Sequence, residues 1–209
     1  AARLVVADEA ANALCAMRPP GHHAESDRAM GFCLLNSAAI AALTAIEELG
    51  MARVAIVDFD VHHGNGTQEI FERDPRVFYA SSHEWPLYPG TGAKHETGVG
   101  NIVNAHLPAF SGSSAFRAAY ETEILPALSA FAPELVIASA GFDAHQADPL
   151  ANIGLTEDDF AWVTERLCEA ARESAGGRLV SVLEGGYALE ALAASAAAHV
   201  RVLTRHSGR

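Results

Sequence analysis

Short runs of apolar residues alternate along the chain with stretches in which apolar positions recur every three or four residues. The runs at 13–17, 54–61, 77–81, 102–107, 135–139 and 179–183 read as strands. The segments between them predict helices at 36–49, 67–73, 113–131, 156–176 and 189–205, with the tail of another at 1–8. Near-continuous apolar strands separated by helices imply a sheet buried on both faces, so the pattern predicts an α/β fold: three layers, α-β-α, around a mostly parallel sheet. Local signals agree with these limits. Asn36 is placed to cap the helix it opens, and Gly50 stands just beyond that helix. Thr156 with Asp159 forms an approximate capping box, and Gly176-Gly177 ends the helix that follows. No repeat or linker divides the chain, so a single domain over 1–209 is expected.

One strand carries unusual chemistry at its end. In VDFDVHHGNG, residues 57–66, a period of two sets Val57, Phe59 and Val61 on one side and Asp58, Asp60 and His62 on the other. That polar side is too costly to bury unpaired, and a divalent metal satisfies carboxylates and imidazole together. A lone Asp-x-His is most often structural; Asp58 and His63 beside it shift the balance towards a site. Other strand ends deliver residues of the same kind. RPPGHH at 18–23 is a rigid non-helical turn bearing His22 and His23, Asp143 stands just past the 135–139 run, and Tyr187 lies in EGGY after 179–183. Ligands of open parallel sheets bind at the carboxyl edge of the strands, so these loops are predicted to meet there. Asp143 then joins Asp60 and His62 as a third ligand, leaving a position for water or substrate as catalytic metal sites do. The loop at 83–101 is long, rich in glycine and proline, and carries Trp85, Leu87 and Tyr88, which favours a functional role for it.

Composition narrows the class further. A chain of 209 residues, half of them apolar, can bury a proper core, and no run of about 18 apolar residues is present, so no membrane span is expected. The net charge of −12 disfavours nucleic acid and attracts cationic partners such as basic peptides or polyamines. Three cysteines without close pairing, Cys15, Cys33 and Cys168, argue for core residues in a reducing compartment. With no signal peptide at the start, a cytoplasmic location is the expectation.

Six motifs occur in one order: RPPGHHA at 18–24, GFCLLN at 31–36, DFDVHHGNGTQ at 58–68, YPGTG at 88–92, SAGFDAH at 139–145 and LEGGY at 183–187. In this the chain resembles the histone deacetylase and acetylpolyamine amidohydrolase family. RPPGHHA, Asn65 in place of the Asp of many class I members, and AGFDAHQADPL resemble class II and bacterial forms. The resemblance implies an arginase/deacetylase-like fold and a zinc-dependent amidohydrolase acting on acetyl-lysine or a related acylated amine. Zn²⁺ would be held by Asp60, His62 and Asp143, and the same donors would accept Fe²⁺ or Co²⁺. His23 matches the general base and acid, with His22 and Asp58 as the charged pair beside it and Asn65 orienting His23. Tyr187 matches the oxyanion donor. Gly31, Phe32 and Tyr88 correspond to the walls of an acyl-lysine tunnel. A structural K⁺ is implied near Asp58, with oxygens of Asp60, His62, Ser81 and Ser82. Asp148 and Glu184 are read as structural, and the remaining histidines as solvated or hydrogen-bonded. Two other readings stand beside this one: an acetylpolyamine deacetylase, and a catalytically silent acyl-binding or interaction protein, with a homo-oligomer possible in either case. Family members carry a long segment before the first motif, whereas 17 residues precede Arg18 here. The expectation is therefore an N-terminally truncated domain with exposed apolar surface at one edge.

Overall fold

The computed structural model describes residues 1–208. Six strands, β1 (Asn12–Cys15), β2 (Val54–Asp58), β3 (Val77–Glu84), β4 (Ile102–Leu107), β5 (Leu135–Ala140) and β6 (Leu179–Leu183), form one sheet in the order β1-β6-β5-β2-β3-β4. Every pairing is parallel. Helices α1 (Ala2–Val6), α2 (Ser37–Glu47) and α3 (Asn65–Phe71) cover one face, where Ala38, Ala42 and Phe71 pack on Val54, Ile56 and Ile137. The other face is covered by α4 (Ser113–Ala119), α5 (Leu125–Phe131), α6 (Glu157–Ser174) and α7 (Leu189–Arg205), with Phe116, Phe160 and Val202 against Ala55, Val57 and Val136. These are the three layers that the apolar pattern predicts.

The strand order explains where a site can form. From β2 the chain moves outward to β3 and β4, then returns to the opposite side of β2 with β5 and β6. The helix after β2 lies on one face and the helix after β5 on the other, so their loops part and leave a crevice between β2 and β5. Register places Asp58 opposite Ser139, so the residues just beyond each leave the sheet at the same level.

The three largest departures from the expected limits lie in β2, β3 and the 113–131 helix. β2 ends at Asp58 rather than Val61, yet the alternation continues beyond it: Phe59 and Val61 enter the core with Val57. β3 runs on to Glu84, because its outer residues still pair with β4. The helix expected over 113–131 is interrupted by a π-helical turn at Tyr120–Ile124. Pro126 follows it and has no N–H to give to the carbonyl four residues back, which the wider turn accommodates. The predicted caps are present. Asn36 Oδ1 accepts the Ala39 N–H at 3.0 Å, and Asp159 closes the capping box with Thr156 while also receiving Ser113 and Arg117. Met17, Leu34, Leu35, Ile40 and Leu43 are exposed along the flank of β1 and α2.

His199 is the buried histidine farthest in kind from the site chemistry. Thr164 Oγ1 gives its hydrogen to the Phe160 carbonyl, so it accepts from His199 Nδ1, and Nε2 is left to accept from Ser181 Oγ at 2.9 Å. The imidazole is thus neutral between the rings of Phe59 and Phe142, and burial lowers its pKa to about 4. A folded value below the unfolded one, near 6.5, gives stability that is present above about 6.5 and lost as pH falls through about 4. In urea titrations, the gap in stability between wild type and His199→Gln should narrow by on the order of 3 kcal/mol from pH 7 to pH 4. A gap independent of pH would contradict the neutral assignment.

Candidate active site

At the crevice, the loop after β2 brings Asp60 and His62, and the loop after β5 brings Asp143. One donor atom from each lies within 4.8 Å of the others, and all three residues are buried. His62 Nδ1 is 3.1 Å from both Asp60 Oδ1 and Asp143 Oδ2. Main-chain amides aim the carboxylates: Asp60 receives His62 N–H at 2.9 Å and Gly185 N–H at 2.8 Å, and Asp143 receives Val61 N–H at 2.9 Å. Burial, and then the charge of Asp60, raise the Asp143 carboxyl to about 6. Burial works against charge on Asp60 too, but His22 and His62 outweigh it and hold that carboxyl low. His62 rises to about 10 against the opposing effect of burial, because both carboxylates converge on its ring nitrogen. Two acids around a single proton donor make a place where positive charge is strongly favoured, and the donor set suits a divalent cation. The set fits the expected metal ligands residue for residue. Among the described residues it is the one group that does so.

Gly185 is part of this geometry. A Cβ at that position would lie 2.1 Å from Asp143 Oδ2 and 2.5 Å from Asp60 Oδ2. Gly185→Ala should therefore displace both carboxylates and weaken divalent-metal affinity by at least about tenfold, read by calorimetric titration. Unchanged affinity in a folded variant would contradict the close approach.

The two adjacent histidines have different electrostatic fates. His22 Nδ1 is 2.9 Å from Asp58 Oδ2, and Asp60 Oδ1 lies 3.6 Å from its Nε2. Burial opposes its charge, but Asp60 and Asp58 outweigh that and hold its pKa well above the ordinary value. Asp58 is held further: Oδ2 also accepts the Tyr79 hydroxyl and Oδ1 the Asp60 N–H. His23 is pushed the other way, down to about 3, by burial and by the neighbouring His22 charge. Its Nδ1 is 2.8 Å from Asn65 Oδ1. The amide orientation follows from Glu25, an acceptor that takes the Asn65 Nδ2 hydrogen at 2.7 Å. Asn65 Oδ1 therefore faces His23, Nδ1 carries the hydrogen, and His23 Nε2 keeps its lone pair.

Gly31, Phe32, Tyr88 and Leu150 wall a cleft of about 550 Å³, with buried His23 and His62 and half-buried Tyr187 at its inner end. Gly31 and Phe32 both have positive φ, 56° and 66°, in a tight turn closed by Cys33 N–H to Met30 O. A Cβ on Gly31 would come 2.3 Å from His23 Cδ2, so glycine lets the rim lie against the imidazole. Tyr88 stands edge-on to His23 with ring centres 5.2 Å apart. Tyr187 packs against Phe32 at 6.1 Å and under the Arg18 guanidinium at 5.3 Å. Burial and the charges of Asp60 and Asp143 raise its pKa, so the hydroxyl stays protonated and senses both acids.

Residues beside the centre hold the neighbouring loops and strands. His63, counted with the acidic cluster, bonds to Thr91 and Gln68 and anchors the loop after β3 instead. His83 and His106 donate to the Gly92 carbonyl from beneath the same loop. Ser81, paired in register with Asp58, has its hydroxyl on His83 Nδ1, and Ser82 Oγ lies 3.3 Å from the Tyr120 hydroxyl. Sequence reasoning did not single out Leu150, Glu25 or Arg18, and it left Glu184 without a partner. Glu184 is buried and accepts the N–H groups of Gly21 and His22 and the Ser139 hydroxyl, fastening the histidine turn to β5 and β6. Cys33 packs as expected, its thiol pushed up to about 11 by burial.

A doubly wound parallel sheet whose switch point gathers two carboxylates, an imidazole and a neutral second histidine defines an α/β protein with a donor set fit for a cation at its strand edge. The histone deacetylase domain model matches residues 1–203, and the chain belongs to that family. It is 47% identical over 185 residues to "Histone deacetylase 10, chloroplastic" of Oryza sativa subsp. japonica, covering 87% of this chain and 42% of that protein. Over 188 residues it is 44% identical to the "Histone deacetylase-like amidohydrolase" of Pseudomonas aeruginosa, covering 88% of this chain and 50% of that protein. The crystal structure of the HDA15 HD domain superposes with a TM-score of 0.90 at 43% identity, over 97% of this chain and 58% of that one. The fold is thus of the arginase/deacetylase type, and the chain spans about half the length of the curated relatives it matches.

Proposed function

We propose that this chain carries the catalytic centre of a zinc-dependent amidohydrolase that removes acetyl groups from acetyl-lysine side chains or related acylated amines. The observation that carries the reading is the convergence of Asp60, His62 and Asp143 at the inner end of a cleft that also presents His23 and Tyr187. Zn²⁺ held there would polarise the amide carbonyl and lower the pKa of water, with Fe²⁺ or Co²⁺ as substitutes. The chain's own groups perform the rest. His23, neutral across the working range and with Nε2 free, takes a proton from the attacking water and later gives one to the departing amine. His22, held cationic by Asp58 and Asp60, offsets negative charge as it develops. The Tyr187 hydroxyl donates to the oxyanion, and Phe32 and Tyr88 flank the extended alkyl chain. A structural K⁺ beside Asp58, using oxygens of Asp60, His62, Ser81 and Ser82, would balance the acids stacked behind the site.

Titrating zinc into the metal-free protein and assaying a fluorogenic acetyl-lysine amide tests this: activity should rise to a plateau at one equivalent. No turnover with one zinc bound would leave a silent acyl-binding protein. The net charge of −12 favours cationic substrates, so acetylspermidine belongs in the same assay. Faster turnover of it than of an acetyl-lysine peptide would make this a polyamine deacetylase.

A further inference from the structure

Asp148 is buried, lies outside the metal set, and places its whole carboxylate on main-chain N–H groups from two loops. Oδ2 accepts the N–H of Tyr187 at 2.7 Å and of Ala188 at 3.2 Å. Oδ1 accepts the N–H of Leu150 at 3.1 Å, and the Asp148 N–H is itself spent on the His145 carbonyl at 2.8 Å. The loop that leaves β5 with Asp143 thus returns, five residues on, to grip the turn that bears the phenol of the site. Ala188, at the start of α7, has no side chain able to cap the helix, so this carboxylate also meets the positive end of that helix.

We propose that Asp148 is a positioning residue, which fixes where the Tyr187 hydroxyl stands relative to the Asp60–His62–Asp143 centre and holds Leu150 in the cleft wall at the same time. The inference rests on the function proposed above, but its geometry does not. Charged acceptors make the stronger hydrogen bonds, and one carboxylate shared between the phenol turn and the cleft wall leaves the two little freedom to drift apart. Arg18, which also reaches this turn, contacts the Gly186 carbonyl and the Tyr187 ring but leaves the Tyr187 N–H to Asp148. Asparagine at this position keeps the size but turns one oxygen into an amino group, which then faces an N–H it cannot accept.

Asp148→Asn should lower kcat about tenfold, since small misplacements of a reacting group cost that much or more, while zinc affinity stays at the wild-type value. In a Tyr187→Phe background the same substitution should cost less than about twofold, because the hydroxyl it positions is gone. A full loss that persists in that background, or no loss in wild type, overturns the proposal. A second readout is independent of turnover. With ring-¹³C tyrosine, the chain gives four signals, and the one absent in Tyr187→Phe should shift in Asp148→Asn while those of buried Tyr79 and Tyr120 hold still. An unmoved Tyr187 signal overturns the positioning role, whereas a moved signal in a chain without turnover supports it and refutes only the proposed activity. Should Asp148→Asn not fold, Asp148→Glu, which keeps the charge and moves it outward, carries the same two measurements with the same expected signs.

Discussion

Asp143→Asn should abolish hydrolysis, by on the order of a thousandfold or more, and remove bound divalent metal without unfolding the chain. The substitution is nearly isosteric, and the amide oxygen it introduces can still accept the Val61 N–H that Asp143 Oδ1 receives at 2.9 Å. What changes is the other oxygen, 3.1 Å from His62 Nδ1, which becomes an N–H₂ group and a donor no cation can use. A stability measurement separates this account from simple damage. In the metal-free chain Asp143 has its carboxyl raised to about 6, above the unfolded value of 3.8, by burial and by Asp60. A raised folded pKa means stability that is complete below the unfolded pKa and lost as pH rises through about 6. Above that pH the metal-free wild type holds two buried acids close together. In Asp143→Asn added zinc should therefore no longer raise the denaturant midpoint at about pH 7.5, whereas in the wild type, where it neutralises these acids, it should. If it instead binds one zinc with wild-type affinity, Asp143 is no ligand and the centre has to be redrawn.

The sequence carried Asp60 and His62 because their signal is local. Period-two alternation in 57–62 separates core from site with no tertiary information, and it holds even where β2 has ended. The caps at Asn36 and at Thr156 with Asp159 were legible for the same reason, since partners three residues apart are determined by helix geometry. Glycine spacing around the site was visible as motif, but its cause was not. Only the fold shows that Gly185 makes room for two carboxylates and Gly31 for an imidazole. The acids read as structural gave no sign of their partners, because they act across long sequence separations through the backbone. Glu184 reaches Gly21, 163 positions away, and Asp148 reaches Tyr187, 39 positions away. An acid in such a role looks like any loop acid until strand order is known, and strand order, with its reversal at β2 and β5, is not written in apolar periodicity. Glu25 shows the same limit at smaller scale. Surface-like in sequence, it determines which way the Asn65 amide points and hence which His23 nitrogen is free.

That division of labour sets up the second large effect. Tyr187→Phe should lower kcat by about a hundred- to a thousandfold, the usual cost of removing one oxyanion donor, with KM and zinc content little changed. Phenylalanine keeps the ring that packs on Phe32 and under Arg18, so the cleft retains its shape. The main-chain N–H that Asp148 holds is also unaffected by the change. The loss is therefore of one O–H and nothing else. Because burial and the acids of the site keep this phenol protonated, wild-type activity should show no alkaline limb below about pH 10 from Tyr187, and the variant should keep the wild-type profile at a lower level. His23→Ala would differ, flattening the part of the profile that reports the base. A Tyr187→Phe enzyme within about threefold of wild type in kcat would leave stabilisation of the oxyanion to the metal and His22 alone.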